Sequence, residues 1–127
     1  MDIAPSVLHA IGRTPLMRLN KVVPAGAADV VVKLEFYNPT GSYKDRMALA
    51  MIEGAERRGV LKPGMRVVEF TGGSTGSSLA MVCAVRGYRC LLLSSDAFAE
   101  EKLRTMRAFG AEPVSYTHLT LPTNREV

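Results

Sequence analysis

The sequence predicts an α/β fold: an open, parallel-type sheet with flanking helices in three layers, truncated at its far end. Three observations predict it. From Val30 onward, short β-branched or aliphatic runs alternate with segments of helical period; each helical segment closes on a glycine; and 127 residues with 47% hydrophobic content are enough for the core of one ordinary domain.

The elements follow in order. Val30 to Leu34 is a β-branched run of the kind found in buried strands, and Ser42 to Arg58 carries Met47, Ala48, Met51, Ile52 and Ala55 at helical spacing, stopped by Gly59. A Lys62-Pro63-Gly64 turn leads to a second strand, Arg66 to Phe70, and a glycine-rich loop then opens a helix from Ser74 to Arg86 that stops at Gly87. Arg89 to Ser94 reads as a third strand and Ala99 to Phe109 as a third helix. Its Glu100 and Glu101 come early, its Arg104 and Arg107 late, and Gly110 ends it, which complements the helix dipole. Glu112 to Val114 begins a further strand. Strands alternating with helices imply parallel pairing through right-handed crossovers, with helices on both faces and ligands beyond the carboxyl ends of the strands. Two loops are expected there, Asn38 to Lys44 and Thr71 to Gly76.

Ser115 to Val127 has neither helical period nor turn logic and resembles a translated sequencing-adapter tail. The expected division is therefore residues 1–114 as native sequence and 115–127 as a non-native tail. His118 then carries no meaning, His9 is the remaining histidine, and no metal site is expected.

Charge and composition exclude several classes. The 16 basic and 12 acidic residues give a net charge of +4, but the basic ones are scattered from Arg13 to Arg104, with no block or aromatic-basic stripe for nucleic acid. No segment approaches the roughly 18 to 20 apolar residues that cross a bilayer, and the first twenty lack a secretory apolar run, so a soluble cytoplasmic protein is expected. Cys83 and Cys90 are expected to be buried free thiols.

Lys44 lies in Asn38-Pro39-Thr40-Gly41-Ser42-Tyr43-Lys44-Asp45-Arg46, where Pro39 and Gly41 set a turn and Ser42 can cap the following helix. A lysine beside the positive end of a helix is disfavoured as an ammonium, which suits an imine-forming nucleophile. The same residues also read as a solvated lysine beside a solvated Asp45-Arg46 pair. Thr71-Gly72-Gly73-Ser74-Thr75-Gly76 follows a strand and opens a helix, so its hydroxyls and the first free N–H groups form an anion site for a carboxylate or phosphate. It lacks the glycine spacing of a dinucleotide loop and the Gly-Lys-Ser/Thr of a P-loop, and by composition alone it is equally a simple glycine-rich connection.

Four ordered segments together resemble the cysteine synthase branch of the fold type II pyridoxal-phosphate enzymes. They are Ile11 to Leu19 (IGRTPLMRL), Lys33-Leu34-Glu35 with Asn38 to Arg46, Gly59 to Gly64, and the Thr71 to Gly76 loop. The resemblance implies that Lys44 carries pyridoxal 5'-phosphate, is displaced by an incoming amino acid, and shuttles the Cα proton. It implies that Thr71, Gly72, Ser74 and Thr75 grip the substrate carboxylate, and that Ser74 also faces the cofactor, where many cysteine synthases carry a longer asparagine. The implied reaction is β-replacement or β-elimination on a serine-derived amino acid, such as O-acetylserine plus sulfide to cysteine, in a homodimeric parent enzyme. The phosphate-binding glycine loop and the residue facing the pyridine nitrogen lie further along in that family and have no match here, so this chain alone is expected to be inactive. Two other functions fit less of the pattern: a serine or threonine dehydratase-like lyase, and a non-catalytic nucleotide-binding α/β module with Asp96 as its acidic residue.

Overall fold

A computed structural model of the chain describes residues 3–95 and 100–116. Asp96, Ala99 and residues 117–127, His118 among them, lie outside the described residues.

The parallel sheet is built as the alternating pattern implies. Strand β3 (Arg66–Phe70) pairs in parallel with β4 (Arg89–Ser95), which pairs in parallel with β5 (Glu112–Tyr116), in the order β3-β4-β5. Helices α1 (Lys44–Arg57), α2 (Ser74–Arg86) and α3 (Glu100–Ala108) accompany it. Each helix stops where the backbone must turn left-handed. Gly59, Gly87 and Gly110 have φ of +69°, +77° and +81°, a region where a side chain clashes with its own backbone.

Helix α2 is the centre of the core. It is buried without a break from Gly76 to Cys83, because α1, α3 and the sheet all pack against it. That is why its apolar residues follow no one-sided stripe. Ala48 and Ile52 of α1, Leu79 and Val82 of α2, Cys90 and Leu92 of β4, and Leu103 and Met106 of α3 form one cluster. Cys90, Leu92 and Ser94 alternate inward along β4, whereas Val68, Phe70 and Val114 of the sheet remain about half exposed. Burying Leu92 completely contributes about 2 kcal/mol. Cys83 and Cys90 are free and buried, as expected.

The first expected strand is placed differently. Within Val30 to Leu34 only β2 (Val31–Lys33) is extended, and it pairs antiparallel with β1 (Leu16–Arg18) in a separate two-stranded sheet. The β-branched run does form a strand, but Val31 and Lys33 are exposed, and among the described residues no helix packs closely on this hairpin. Its bonds are to the opening motif: Leu34 N–H donates to Pro15 C=O, Leu19 N–H to Val30 C=O, and the Lys33 amine to Thr14 C=O at 2.9 Å. The loop bearing Lys44 thus follows this hairpin and a 3₁₀ turn, Glu35–Tyr37, and not a strand of the parallel sheet.

Candidate active site

The Asn38 to Lys44 loop is fixed from both ends. Gly41 N–H donates to Asn38 C=O at 2.7 Å across Pro39 and Thr40, closing a β-turn in which Pro39 supplies the required φ. Asn38 is buried; its side-chain oxygen accepts Gly12 N–H at 2.8 Å and its amide donates to Glu35 C=O and to the Glu35 carboxylate. The opening motif and the lysine loop, far apart in sequence, are joined there.

Glu35 and Arg46 complete that junction. Arg46 Nε and Nη2 each donate to one Glu35 carboxylate oxygen at 2.9 Å, a two-pronged pairing, and Thr14 Oγ1 donates to the same carboxylate at 2.6 Å. The hydrogen bonds from Arg46 and then Thr14 hold the Glu35 carboxyl down from 4.5 to about 2, against the opposing effect of burial. The same bond with Glu35 raises the Arg46 guanidinium above its ordinary value.

Helix α1 begins at Lys44 with Tyr43 as the residue before it; Ser42 is one position further back than a helix cap. Its hydroxyl nonetheless accepts the Lys44 N–H at 3.1 Å, doing the cap's work two residues ahead. The Lys44 amine lies 4.7 Å from the Tyr43 ring centroid, and among the described residues no carboxylate pairs with it. It is a partly exposed, unpaired amine at a helix start. Its neighbour Asp45 is the opposite: fully buried, with its carboxylate accepting Thr40 N–H at 2.8 Å, the Thr40 hydroxyl, and the Ser78 hydroxyl at 2.6 Å.

The second loop follows β3 and opens α2. Thr71 N–H donates to Leu93 C=O at 2.9 Å, which anchors the loop to the sheet, and Gly73 N–H lies 3.4 Å from Thr71 Oγ1. Among the described residues no side chain caps α2; Gly76 N–H donates to Gly73 C=O at 3.0 Å, and the N–H groups of Ser74 and Thr75 have no partner there, which suits an anion. Ser74 and Thr75 begin the helix and, with Thr71, are partly exposed, while Gly72 is buried. Ser78 stands one turn beyond Ser74 and bonds Asp45, so the lysine end of α1 and the uncapped end of α2 are tied to each other.

The helix that begins at Lys44 and the helix that the Thr71 loop opens are therefore linked through Asp45 and Ser78. Composition and spacing did not point to Glu35, Thr14, Asn38, Arg46 and Ser78, which hold these segments together. A signal was present in Ser78, a hydroxyl inside an apolar helix that bonds Asp45, although the neighbouring Ser77 hydroxyl is buried with no partner among the described residues. A cleft of about 550 Å³ lined by Leu8, His9, Leu49, Glu53, Val85 and Arg86 contains none of the site residues, and its charged groups already pair as Glu53 with Arg86. Cys83 and Cys90 are buried away from these loops, on α2 and β4; hydrogen bonding to Cys90 and burial push Cys83 up, while hydrogen bonding to Cys83 pulls Cys90 down.

Among the described residues the site thus presents a lysine amine that no carboxylate pairs with, at the start of α1, and a start of α2 that no side chain caps, linked through the Asp45–Ser78 bond. The family model described as "Pyridoxal-phosphate dependent enzyme" matches residues 7–126, and the chain belongs to that family. It is 47% identical over 114 residues to a probable cysteine synthase of Bacillus subtilis, covering 90% of this chain and 37% of the relative. It is 50% identical over 109 residues to a cysteine synthase of Staphylococcus aureus, covering 86% of this chain and 35% of the relative. The chain thus spans little more than a third of the length of these relatives. Among solved structures, O-ureido-L-serine synthase superposes with a TM-score of 0.85 at 43% identity over 91% of this chain and 36% of that one. A hydrogen sulfide-producing enzyme of Fusobacterium nucleatum gives 0.85 at 40% identity, over 91% and 38%. The residues present fit the cofactor's aldehyde end, because Lys44 offers an amine that no carboxylate neutralises among the described residues.

Proposed function

We propose that this chain supplies the lysine and the substrate-carboxylate grip of a pyridoxal-phosphate enzyme that carries out β-replacement on a serine-derived amino acid, with O-acetylserine and sulfide giving cysteine as the reaction best supported. The single observation that carries it is the pairing of the free Lys44 amine with the uncapped start of α2 across the Asp45–Ser78 bond. The names of the relatives, cysteine synthases and an O-ureido-L-serine synthase, favour replacement over the dehydratase and nucleotide-binding readings.

Each residue's part follows from its position. Lys44 holds the cofactor and, once displaced by the amino acid, takes the Cα proton on its Nζ and returns it. Thr71, Ser74 and Thr75 offer hydroxyls, and Gly72, Ser74 and Thr75 offer backbone N–H donors, to the substrate carboxylate at the positive end of α2. Gripping the carboxylate fixes the Cα–H bond in direction, so that removing the proton needs no further search. When bound, the cofactor would supply an electron sink at Cα. Ser74 is shorter than the asparagine of many cysteine synthases and leaves more room beside the reacting carbon. We place the whole enzyme in the cytoplasm as a homodimer acting on small amino acids, a setting that suits two free thiols. Among the described residues no helix is long and apolar enough to cross a membrane.

The test is a chimera in which the matched segment of this chain replaces its counterpart in the Bacillus subtilis relative. Cysteine should form from O-acetylserine and sulfide, and Lys44→Ala should abolish it in a folded protein. Substantial turnover by that variant refutes the assignment. The 127-residue chain alone is expected to give none.

A further inference from the structure

We propose that Asp45 is the positioning residue of this site: its buried carboxylate sets Lys44 in place against the Thr71 to Gly76 loop. The inference rests on the roles given above to Lys44 and that loop. Asp45 is 0% exposed, yet it follows a partly exposed lysine directly in the chain. Its carboxylate accepts from two separate segments. Thr40, in the loop before α1, gives its N–H at 2.8 Å and its hydroxyl; Ser78, inside α2, gives its hydroxyl at 2.6 Å.

The consequence is geometric. Thr40 and Asp45 close a short ring of backbone that contains Lys44, whose own N–H is held by Ser42 Oγ. The Ser78 bond then fixes that ring against α2, one turn from Ser74. The backbone of Lys44 is pinned on both sides, and only its side chain remains free to reach and retreat. A buried carboxylate is an expensive way to hold two helices together, since apolar residues of similar volume usually do so at least as well. What directional bonds add is a fixed relation between two segments, which packing alone tolerates with more slack. Placed beside the reacting lysine, that fixed relation serves the chemistry.

The experiment uses the 127-residue chain with pyridoxal phosphate, borohydride reduction and peptide mapping. The reading is the ratio of label at Lys44 to label at Lys21, Lys33, Lys62 and Lys102 in the same sample, taken well below each variant's unfolding midpoint. Asp45→Asn should lower the ratio about tenfold, since small misplacements of a reacting group cost at least that much. Ser78→Ala, which removes one bond and suits a helix, should lower it about threefold, and it decides the matter if Asp45→Asn does not fold. Leu92→Ala is the control: it opens a cavity in the core, removes none of the Thr40, Asp45 and Ser78 bonds, and should leave the ratio unchanged. A parent ratio kept in Ser78→Ala and in folded Asp45→Asn overturns the positioning role while leaving Lys44 as the cofactor lysine. An equal loss in Leu92→Ala also overturns it, by reducing the effect to stability. No preference for Lys44 in the parent removes the cofactor assignment and the positioning role with it.

Discussion

Gly76→Ala is the sharpest test of how α2 is seated. A methyl carbon added at Gly76 would stand 2.5 Å from Met106 Cε, 2.9 Å from Thr71 Cγ2 and 3.1 Å from Met106 Sδ. The methionine tip can swing aside, because three rotatable bonds separate it from the backbone. Thr71 yields less, since its β-branched side chain has few rotamers. Against the overlap stands helix propensity, which favours alanine over glycine by about 1 kcal/mol. Overpacking a tight core costs about 1–3 kcal/mol, so the net loss should be about 1 kcal/mol. For a domain of this size that lowers the melting temperature by about 3–6 °C. Thermal unfolding followed by circular dichroism reads it, and the Met106→Ala background separates the causes. Removing the methionine tip should recover part of the loss, a coupling of about 1 kcal/mol between neighbours. If Gly76→Ala raises the melting temperature, or costs the same with and without Met106, the close approach of α3 to α2 is not what requires glycine there.

Three further outcomes are expected. The Glu35 carboxyl is depressed from 4.5 to about 2, so its contribution to stability is present above 4.5 and is lost as pH falls toward 2; Glu35→Gln should therefore destabilise at pH 6 and lose its effect by pH 2, and a melting-temperature difference that stays constant over that range contradicts the Arg46 and Thr14 bonds. Arg13 has φ of +49°, a left-handed conformation that asparagine adopts more easily, so Arg13→Asn should raise stability by about 1 kcal/mol in urea unfolding, and no rise means that the turn is not strained. Ser74→Asn in the chimera should shift preference among serine-derived substrates with little change in melting temperature; unchanged selectivity with a large thermal loss places Ser74 in the fold and not at the ligand.

The sequence made the repeating part of the fold legible because each element there announces its own ends. Helix α2 runs from Ser74 to Arg86 as the glycines on either side imply, and β3 covers the expected Arg66–Phe70. Val30 to Leu34 was less legible. A β-branched run specifies extended backbone, but its partner is chosen by Thr14, Pro15 and Lys33 through bonds that no local pattern announces. The site shows the same division. Lys44 and the Thr71 loop are visible because lysine, glycine and hydroxyl residues cluster in short segments. Asp45 and Arg46 are adjacent and of opposite charge, which reads as one solvated pair, yet Asp45 turns inward to Ser78 and Arg46 pairs with Glu35. Adjacent positions near a helix start face different ways, and which partner each meets is decided by residues 11 and 33 positions away.

The central claim is that Lys44 is the residue that takes the cofactor. The most direct measurement adds pyridoxal phosphate to the 127-residue chain, reduces with borohydride, and weighs the peptide that contains residue 44 in the parent and in Lys44→Arg. One dominant adduct is expected, on Lys44, absent from the variant. Label spread evenly over the five lysines of the sequence, and unchanged in the variant, would contradict it.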